Sequence, residues 1–566
     1  MEKTKHLFTY TLMIAIALVM VTFASCDDDE DPTFTDPTVV ITPSTASGLP
    51  GATVSLGIAA TADAGLASIA VNGTSIQTFT TEKTAAVTYD YVIPASEAVG
   101  STIPLEIVVT DKQNPPKTAL STVNITVGDP GKSTVTLQGA ITSNTTWTKD
   151  KYYLIKGNVY VQAPAELTIE AGTTIYGDKV SKGALVINRG AKIHAVGTAA
   201  APIVFTSSAP MNFRNYGDWG GLVILGKAVN NQNATQTIEG ISGPTGDDGK
   251  YGGTDDADNS GELQYARIEF AGIALSTDNE LNGLTMGSVG SGTKIDHVQV
   301  SFSGDDSYEW FGGKVNAQYL IAFKGWDDDF DTDFGYTGNV QYAVSHRDAN
   351  NGDKSGSNGF ESDNDGAGST AGAKSPLTAP KFSNVTWFGP GTYARLSSGA
   401  LNKSNYNANY QFGGHLRRNS AIQVYNSIFI GSYLEGIHFD KTNPAAVFMG
   451  NYFGRTAVNV TNNPVKKATT GNADGDINLT NFDADNFNTA GVQSTVDLST
   501  VIAGMTATNL NIDQPLSVLA AGSSLLTGAK TVPAGLTQKD YIGAFDATTN
   551  WTSETWVNFN PNGTQY

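Results

Sequence analysis

The sequence predicts an all-β protein: a right-handed parallel β-helix preceded by an immunoglobulin-like β-sandwich. Three observations predict it. Residues 295–313, 316–335 and 340–365 each begin as an apolar-alternating strand and end in a turn packed with carboxylates, aromatics and glycine. A segment recurring at about twenty residues cannot bury its own apolar face, so it must stack on its neighbours. Second, Leu167-Thr-Ile-Glu-Ala-Gly172-Thr-Thr-Ile175 is echoed by Leu185-Val-Ile-Asn-Arg-Gly190-Ala-Lys-Ile193, eighteen residues on. Apolar residues at the first, third and ninth places and glycine at the sixth read as one solenoid coil with a sharp turn. Third, residues 38–129 carry short alternating strands, such as Val54–Ile58 and Leu105–Val109, with turn chemistry such as Asn72-Gly73 between them. Strands at that spacing are the pattern of an immunoglobulin-like sandwich, here without its cysteine pair.

The elements follow in chain order. Residues 1–25 read as a signal peptide: Lys3 and Lys5, an apolar run, then Phe23-Ala24-Ser25 before Cys26, a lipobox. Cys26 is the only cysteine, so it is the expected lipidation site and no disulfide can form within one chain. Residues 26–37 form an acidic linker opening on Asp27-Asp28-Asp29-Glu30-Asp31. That run is either a solvated tether or a surface-export signal resembling those of Bacteroidota lipoproteins. The expected address is therefore the outer membrane, lipid-anchored and facing the medium. Residues 38–130 are the sandwich, expected to act as a spacer. Residues 131–566 are the β-helix, with inserts at 230–260, 350–357 and 390–410. Such inserts usually map to one face, often a binding face. Trp551, Trp556 and Phe559 are expected to cap the last coil.

Composition removes several functions. A net charge of −20 argues against nucleic acid and against electrostatic binding to anionic lipid. With 6 His and 1 Cys a zinc centre has no ligand cluster. Dinucleotide, P-loop, HExxH and GxSxG signatures are absent.

Further motifs carry a family resemblance. Gly217-Asp-Trp-Gly-Gly-Leu-Val-Ile-Leu-Gly226, Tyr251-Gly-Gly-Thr-Asp-Asp256, the run 327–335, Ser357-Asn-Gly-Phe-Glu-Ser-Asp-Asn-Asp365, Arg417-Arg418-Asn419 and Tyr541-Ile-Gly-Ala-Phe545 form the set. Together they resemble Bacteroidota surface lipoproteins with a pectin-lyase-like β-helix, over roughly residues 135–566. The resemblance implies a fold rather than a reaction. The wider superfamily holds polysaccharide lyases, glycoside hydrolases, adhesins and passive binders, so function must come from the site.

The site is sought in the acidic turns. Residues 305–365 hold thirteen carboxylates against four Lys or Arg. Stacked coils lie ~4.8 Å apart, where two carboxylates repel by about 3.5 kcal/mol at an effective dielectric of 20. A cation, protonation or splaying into water must relieve this. Calcium suits the oxygen donors, and the expected ligands are Asp305, Asp306, Glu309, Asp328, Asp329, Asp331, Asp333, Glu361 and Asp363. A second, weaker loop spans 472–483. The bland alternative is that Asp, Asn and Gly simply make good turns.

Three function classes stay open. A binder would present Trp310, Trp326 and Tyr336 as a sugar platform, although aromatics in solenoids also stack internally. A lyase would need Lys324, Arg417 or Arg418 as base, and a hydrolase two of the acids. Arg417 and Arg418 could equally be counter-charges to neighbouring acids. A structural or adhesive surface component is the third class. An extracellular polysaccharide is the expected partner, with an outer-membrane transporter or a neighbouring lipoprotein as candidates beside it.

Overall fold

The computed structural model describes residues 34–129, 131–232, 235–276, 279–366, 374–389, 407–431, 436–439, 445–454 and 518–566, and the strands Val465–Lys467 and Phe487–Asn488. The leader, Cys26, the acidic run 27–31 and the loop 472–483 lie outside the described residues.

The described chain forms two compact units. The first comprises 34–42, 57–89 and 105–123; the second comprises 43–56, 90–104 and 124–566. The division thus falls inside the segment 38–130. Within residues 34–129 the strands form a three-stranded and a five-stranded sheet. The strand Thr53–Thr61 alternates strictly, burying Val54, Leu56, Ile58 and Ala60. That period of two is what a sheet with one covered face requires.

From Ser133 onward most strands join one 26-stranded sheet whose coils pair in parallel, while Gln236–Thr237 with Lys250–Tyr251 and Ala274–Ser276 with Asn279–Glu280 form separate antiparallel pairs. Each early coil has three strands. Glu166–Ile169 opens the first face, Thr174–Gly177 the second and Ala184–Ile187 the third, before Lys192–Val196 returns to the first. Leu167 pairs with Ile193, 26 residues on, whereas Leu185 stacks on Val159. The eighteen-residue echo is therefore not a coil, as the sequence suggested. It is one strand-turn-strand unit used at two different corners, with Gly172 and Gly190 both at φ near +80 to +90°. Local turn chemistry repeats wherever a similar corner is needed, and only pairing reveals which strand lies above which. The true coil step is 22 residues between Ile295 and Ala317 and between Tyr308 and Phe330.

In the middle coils the first two faces fuse into single long strands: Gly261–Glu269, Lys294–Ser301, Asn316–Phe323, Asn339–His346 and Lys381–Phe388. Each bends at one left-handed residue, namely Tyr265, His297, Tyr319, Tyr342 and Asn384. The third face stacks Leu284–Val289, Tyr308–Gly313, Phe330–Asp333, Phe360–Asp363, Gly414–Arg417 and Ile437–Phe439. Its inward rows are mostly apolar, with the buried Thr332 and Ser362 hydrogen-bonded to each other between Trp310 and Leu416. Tyr308, Phe330 and Phe360 pile up at 5.6 and 5.4 Å, and the fully buried Trp310 stacks on Tyr336 at 5.4 Å.

The C-terminal segment is not an end cap. It runs back along the solenoid: Lys530 meets Asn426, Thr537 meets Gln341, Asn558 meets Gln299, and Pro561 and Thr564 meet Arg214. Trp551, Trp556 and Phe559 therefore cover the flank beside Ile321, Phe323 and Tyr342. The outward side chains of these coils are apolar, so they need a cover along their length.

Candidate functional site

Each turn that leads onto the third face carries an acid or amide, and parallel pairing places successive turns above one another. Asp306 accepts a hydrogen bond from the backbone N–H of Asp328 at 2.8 Å; Asp328 accepts one from Asn358, and Asn358 accepts one from Phe412 at 3.3 Å. The turn acids thus form a vertical ladder that satisfies the amides of the next coil, a structural role sequence reasoning had not assigned.

Beyond the turns, the outward positions of the third face continue the acidic surface. Glu309 pairs in register with Asp331, and Asp331 with Glu361. One position on, Phe311 lies beside Asp333. Segments from the 230–260 insert and from 280–282 rise along this face and close a cleft of about 390 Å³. Asp305, Asp306, Glu309, Asp327, Asp328, Asp331 and Asp333 line it, with Tyr251, Phe311 and Phe334. The three rings stack along the solenoid at 6.1 and 5.6 Å, an aromatic strip beside the acids.

The acids crowd closely. Carboxylate oxygens of Asp305, Asp306 and Asp327 lie within 4.8 Å of one another, as do those of Asp306, Glu309 and Asp331. Burial, then mutual repulsion, pushes the carboxyls of Asp305, Asp306, Glu309, Asp327 and Asp331 well above the ordinary range. The same burial raises Asp328 and Asp333 to about 7 despite the opposing pull of arginines. Several oxygens are left without protein partners: one carboxylate oxygen each of Asp327, Asp331 and Asp333, the Asn282 carbonyl and the Thr285 hydroxyl. Buried acceptors without donors are costly, and an all-oxygen set of this kind fits a hard divalent cation.

The remaining sequence candidates lie elsewhere. Asp329 is buried beneath the turn, accepting from Ser345, from Arg347 at 3.1 Å and from Trp387 Nε1 at 3.0 Å. Its oxygens are spent on internal bonds, so it does not belong with the cleft acids. Glu361 and Asp363 are neutralised by Arg417 and Arg418. Those arginines are counter-charges in this arrangement and do not line the cleft. Lys324 sits at a corner with its ammonium over the rings of Phe302 and Phe323, at 5.7 and 5.0 Å. Among the described residues no Lys, Arg or His lines the cleft.

The expected aromatic platform is also corrected. Trp310 follows Glu309 in the same strand, so the two must point to opposite faces, and Trp310 goes inward. Tyr336 is buried as well, its hydroxyl donating to Val315 O at 2.8 Å. Trp326 is half-buried, edge-on to Tyr216 at 5.3 Å, and outside the cleft lining. The aromatic strip consists instead of Tyr251, Phe311 and Phe334. The outward register of Phe311 was readable from the alternation; the approach of Tyr251 from the insert was not.

Residues 139–506, well over half of the chain, match the family model described as pectate-lyase-like beta helix domain. The chain belongs to that family. The pectate-lyase-like match accords with the stacked parallel coils and is consistent with a polysaccharide-related role. No curated protein and no solved structure matches the chain.

Proposed function

We propose that this pectate-lyase-like protein is a surface-exposed outer-membrane lipoprotein that binds an extracellular polysaccharide in the acidic and aromatic cleft, without turnover. In this reading Cys26 carries the lipid, the N-terminal strands form an immunoglobulin-like spacer, and the right-handed β-helix presents the cleft to the medium. Calcium would be held by Asp305, Asp306, Glu309, Asp327 and Asp331, and when bound it would neutralise the acids and offer coordination to polymer oxygens. Phe311 and Phe334 supply an apolar strip for sugar rings. A transporter or a neighbouring lipoprotein would receive the polymer.

The observation that carries binding over elimination is the lining itself. A lyase must take a proton from carbon with a positioned base, usually a basic residue of adjusted pKa. The described cleft carries carboxyls, neutral polar groups and aromatic rings but no Lys, Arg or His, and the earlier candidates Lys324, Arg417 and Arg418 are engaged elsewhere.

One observation favours a hydrolase as the second reading. Asp328 and Asp333, at about 7, hold protons that a leaving oxygen could take, beside acids able to act as base. The test is the purified full chain with calcium and a panel of acidic and neutral polysaccharides. Binding is followed by affinity electrophoresis, turnover by reducing ends and by the ultraviolet absorbance of unsaturated uronides. Calcium-dependent retention without product supports binding. Reducing ends without ultraviolet absorbance would favour hydrolysis, and absorbance would overturn the argument against elimination.

A further inference from the structure

A second pocket, of about 280 Å³, lies at the corner where the fused strands bend, between the coils and the returning C-terminal segment. The corner is unusual. Four successive coils place Tyr265, His297, Tyr319 and Tyr342 there, with φ from +46 to +60°. Left-handed backbone is disfavoured for bulky side chains and best tolerated, after glycine, by Asn. The next two coils do use Asn. Asn384 donates to the carbonyls of Tyr541 and Gly543 at 3.0 and 3.1 Å, and Asn426 to that of Lys530 at 2.8 Å. Rings replace Asn on the coils below, where the pocket opens beside His297, Tyr319 and Tyr342.

Stacking explains part of the substitution. The rings pile up at 4.3, 4.3 and 4.8 Å, close to the coil spacing. It does not explain the hydroxyls, since phenylalanine would stack equally well. Tyr319 and Tyr342 line the pocket together with Tyr541 from the C-terminal segment, and Lys539, Asp546 and Glu554 complete its polar side. Burial, then the neighbouring phenols and carboxylates, raises Tyr319 and Tyr541 and pushes Tyr342 up to about 12. These hydroxyls are therefore protonated donors at neutral pH.

The chemistry of this lining selects a ligand. His297 and Tyr319 are stacked on both faces within the ladder, and Lys539 already lies 5.7 Å from the Tyr342 ring, so the ladder offers no open face to an organic cation. What remains are hydroxyls and an ammonium as donors, with two carboxylates as acceptors. Such a mixture matches a ligand rich in hydroxyls. One Lys against one Asp and one Glu leaves the lining net negative, which disfavours an acidic sugar. The volume falls just below the ~300–1,000 Å³ of sites for drug-sized ligands, room for one small ring and not for a chain.

We propose that this corner pocket binds a single neutral sugar residue, at a site separate from the acidic cleft. The cleft and the pocket share no lining residue.

The test is titration of the full chain with glucose, galactose, mannose, N-acetylglucosamine and galacturonate, followed by saturation-transfer nuclear magnetic resonance and calorimetry. At least one neutral sugar should bind, and galacturonate at least about tenfold more weakly. Tyr541→Phe and Glu554→Gln should each weaken that sugar about tenfold or more, the loss of a hydrogen bond with a charged or buried partner. Their melting temperatures should stay near that of the parent, since neither change empties core volume. The proposal is overturned if no neutral sugar binds, or if both variants keep full affinity. It is equally overturned if Glu309→Gln in the cleft abolishes the sugar signal while the two pocket variants do not.

Discussion

Raising the pH in the presence of a chelator should destabilise this protein, and calcium should reverse that loss. The carboxyls of Asp328 and Asp333 move from 3.8 to about 7 on folding, because burial disfavours their charge and further acids crowd them. Between those values the native state holds protons that the unfolded chain has released. The native state binds more protons, so stability must fall as pH rises from about 4 through about 7. A shift of that size is on the order of 4 kcal/mol for an isolated group. Coupling within the cluster makes the sum smaller than the parts, yet even one such contribution is large against a net stability of ~5–15 kcal/mol. Burial also holds the carboxyls of Asp305, Asp306, Glu309, Asp327 and Asp331 well above the ordinary range, and calcium must displace their protons to bind, so its effect should grow with pH. At a free concentration a hundred times its dissociation constant it returns about 2.7 kcal/mol. At ~1 °C per kcal/mol for a unit of more than 400 residues this is roughly 3 °C in melting temperature. The assay is thermal denaturation by circular dichroism from pH 4.5 to 7.5, with chelator and with calcium. A chelated melting temperature that is flat or rises over this range would refute the reasoning about the buried acids. An equal calcium shift at pH 5 and pH 7.5 would refute the siting of the cation among them.

Other perturbations separate structural from functional roles. Arg347→Met should cost about 3–5 kcal/mol in chemical denaturation, because Asp329 would be left buried without its guanidinium. Trp310→Ala and Phe311→Ala, neighbours on one strand, should diverge. The first should lose about 3–5 kcal/mol of stability by emptying core volume; the second should weaken polymer retention several-fold with a much smaller change in melting. Deleting Tyr566 removes a 2.6 Å hydrogen bond to Glu269 and the ring beneath Arg214 and Arg267. We expect a loss of about 2–3 kcal/mol, read from urea midpoints, with no change in calcium response. Any turnover that is detected should survive Lys324→Ala, since Lys324 does not line the cleft.

The acidic surface shows how far local pattern reaches. That Glu309, Phe311, Asp331 and Asp333 face outward, and Tyr308, Trp310 and Phe330 inward, follows from alternation alone, because a strand has a period of two wherever it sits. Choosing Trp310 as a platform residue while choosing Glu309 as a ligand broke that rule. Asp327, Asp328 and Asp329 could not be separated by pattern, since a turn has no such period. One enters a cation-sized cluster, one caps the next coil and lines the cleft, and one is bonded beneath the turn.

Residue pattern was enough to read an all-β architecture, a middle that repeats at about one coil, and acidic turns that stack. These depend on side-chain alternation and glycine placement, which act within a few residues. Tertiary structure alone decided that a coil has three faces and that the eighteen-residue echo joins different corners. It also decided that Tyr251 meets Phe311 across sixty residues of chain, and that the C-terminal segment returns along the flank to close a second pocket. The physical reason is closure: which strand lies above which is set by hydrogen-bond pairing between segments whose separation varies with every insert, and no local signal encodes that sum.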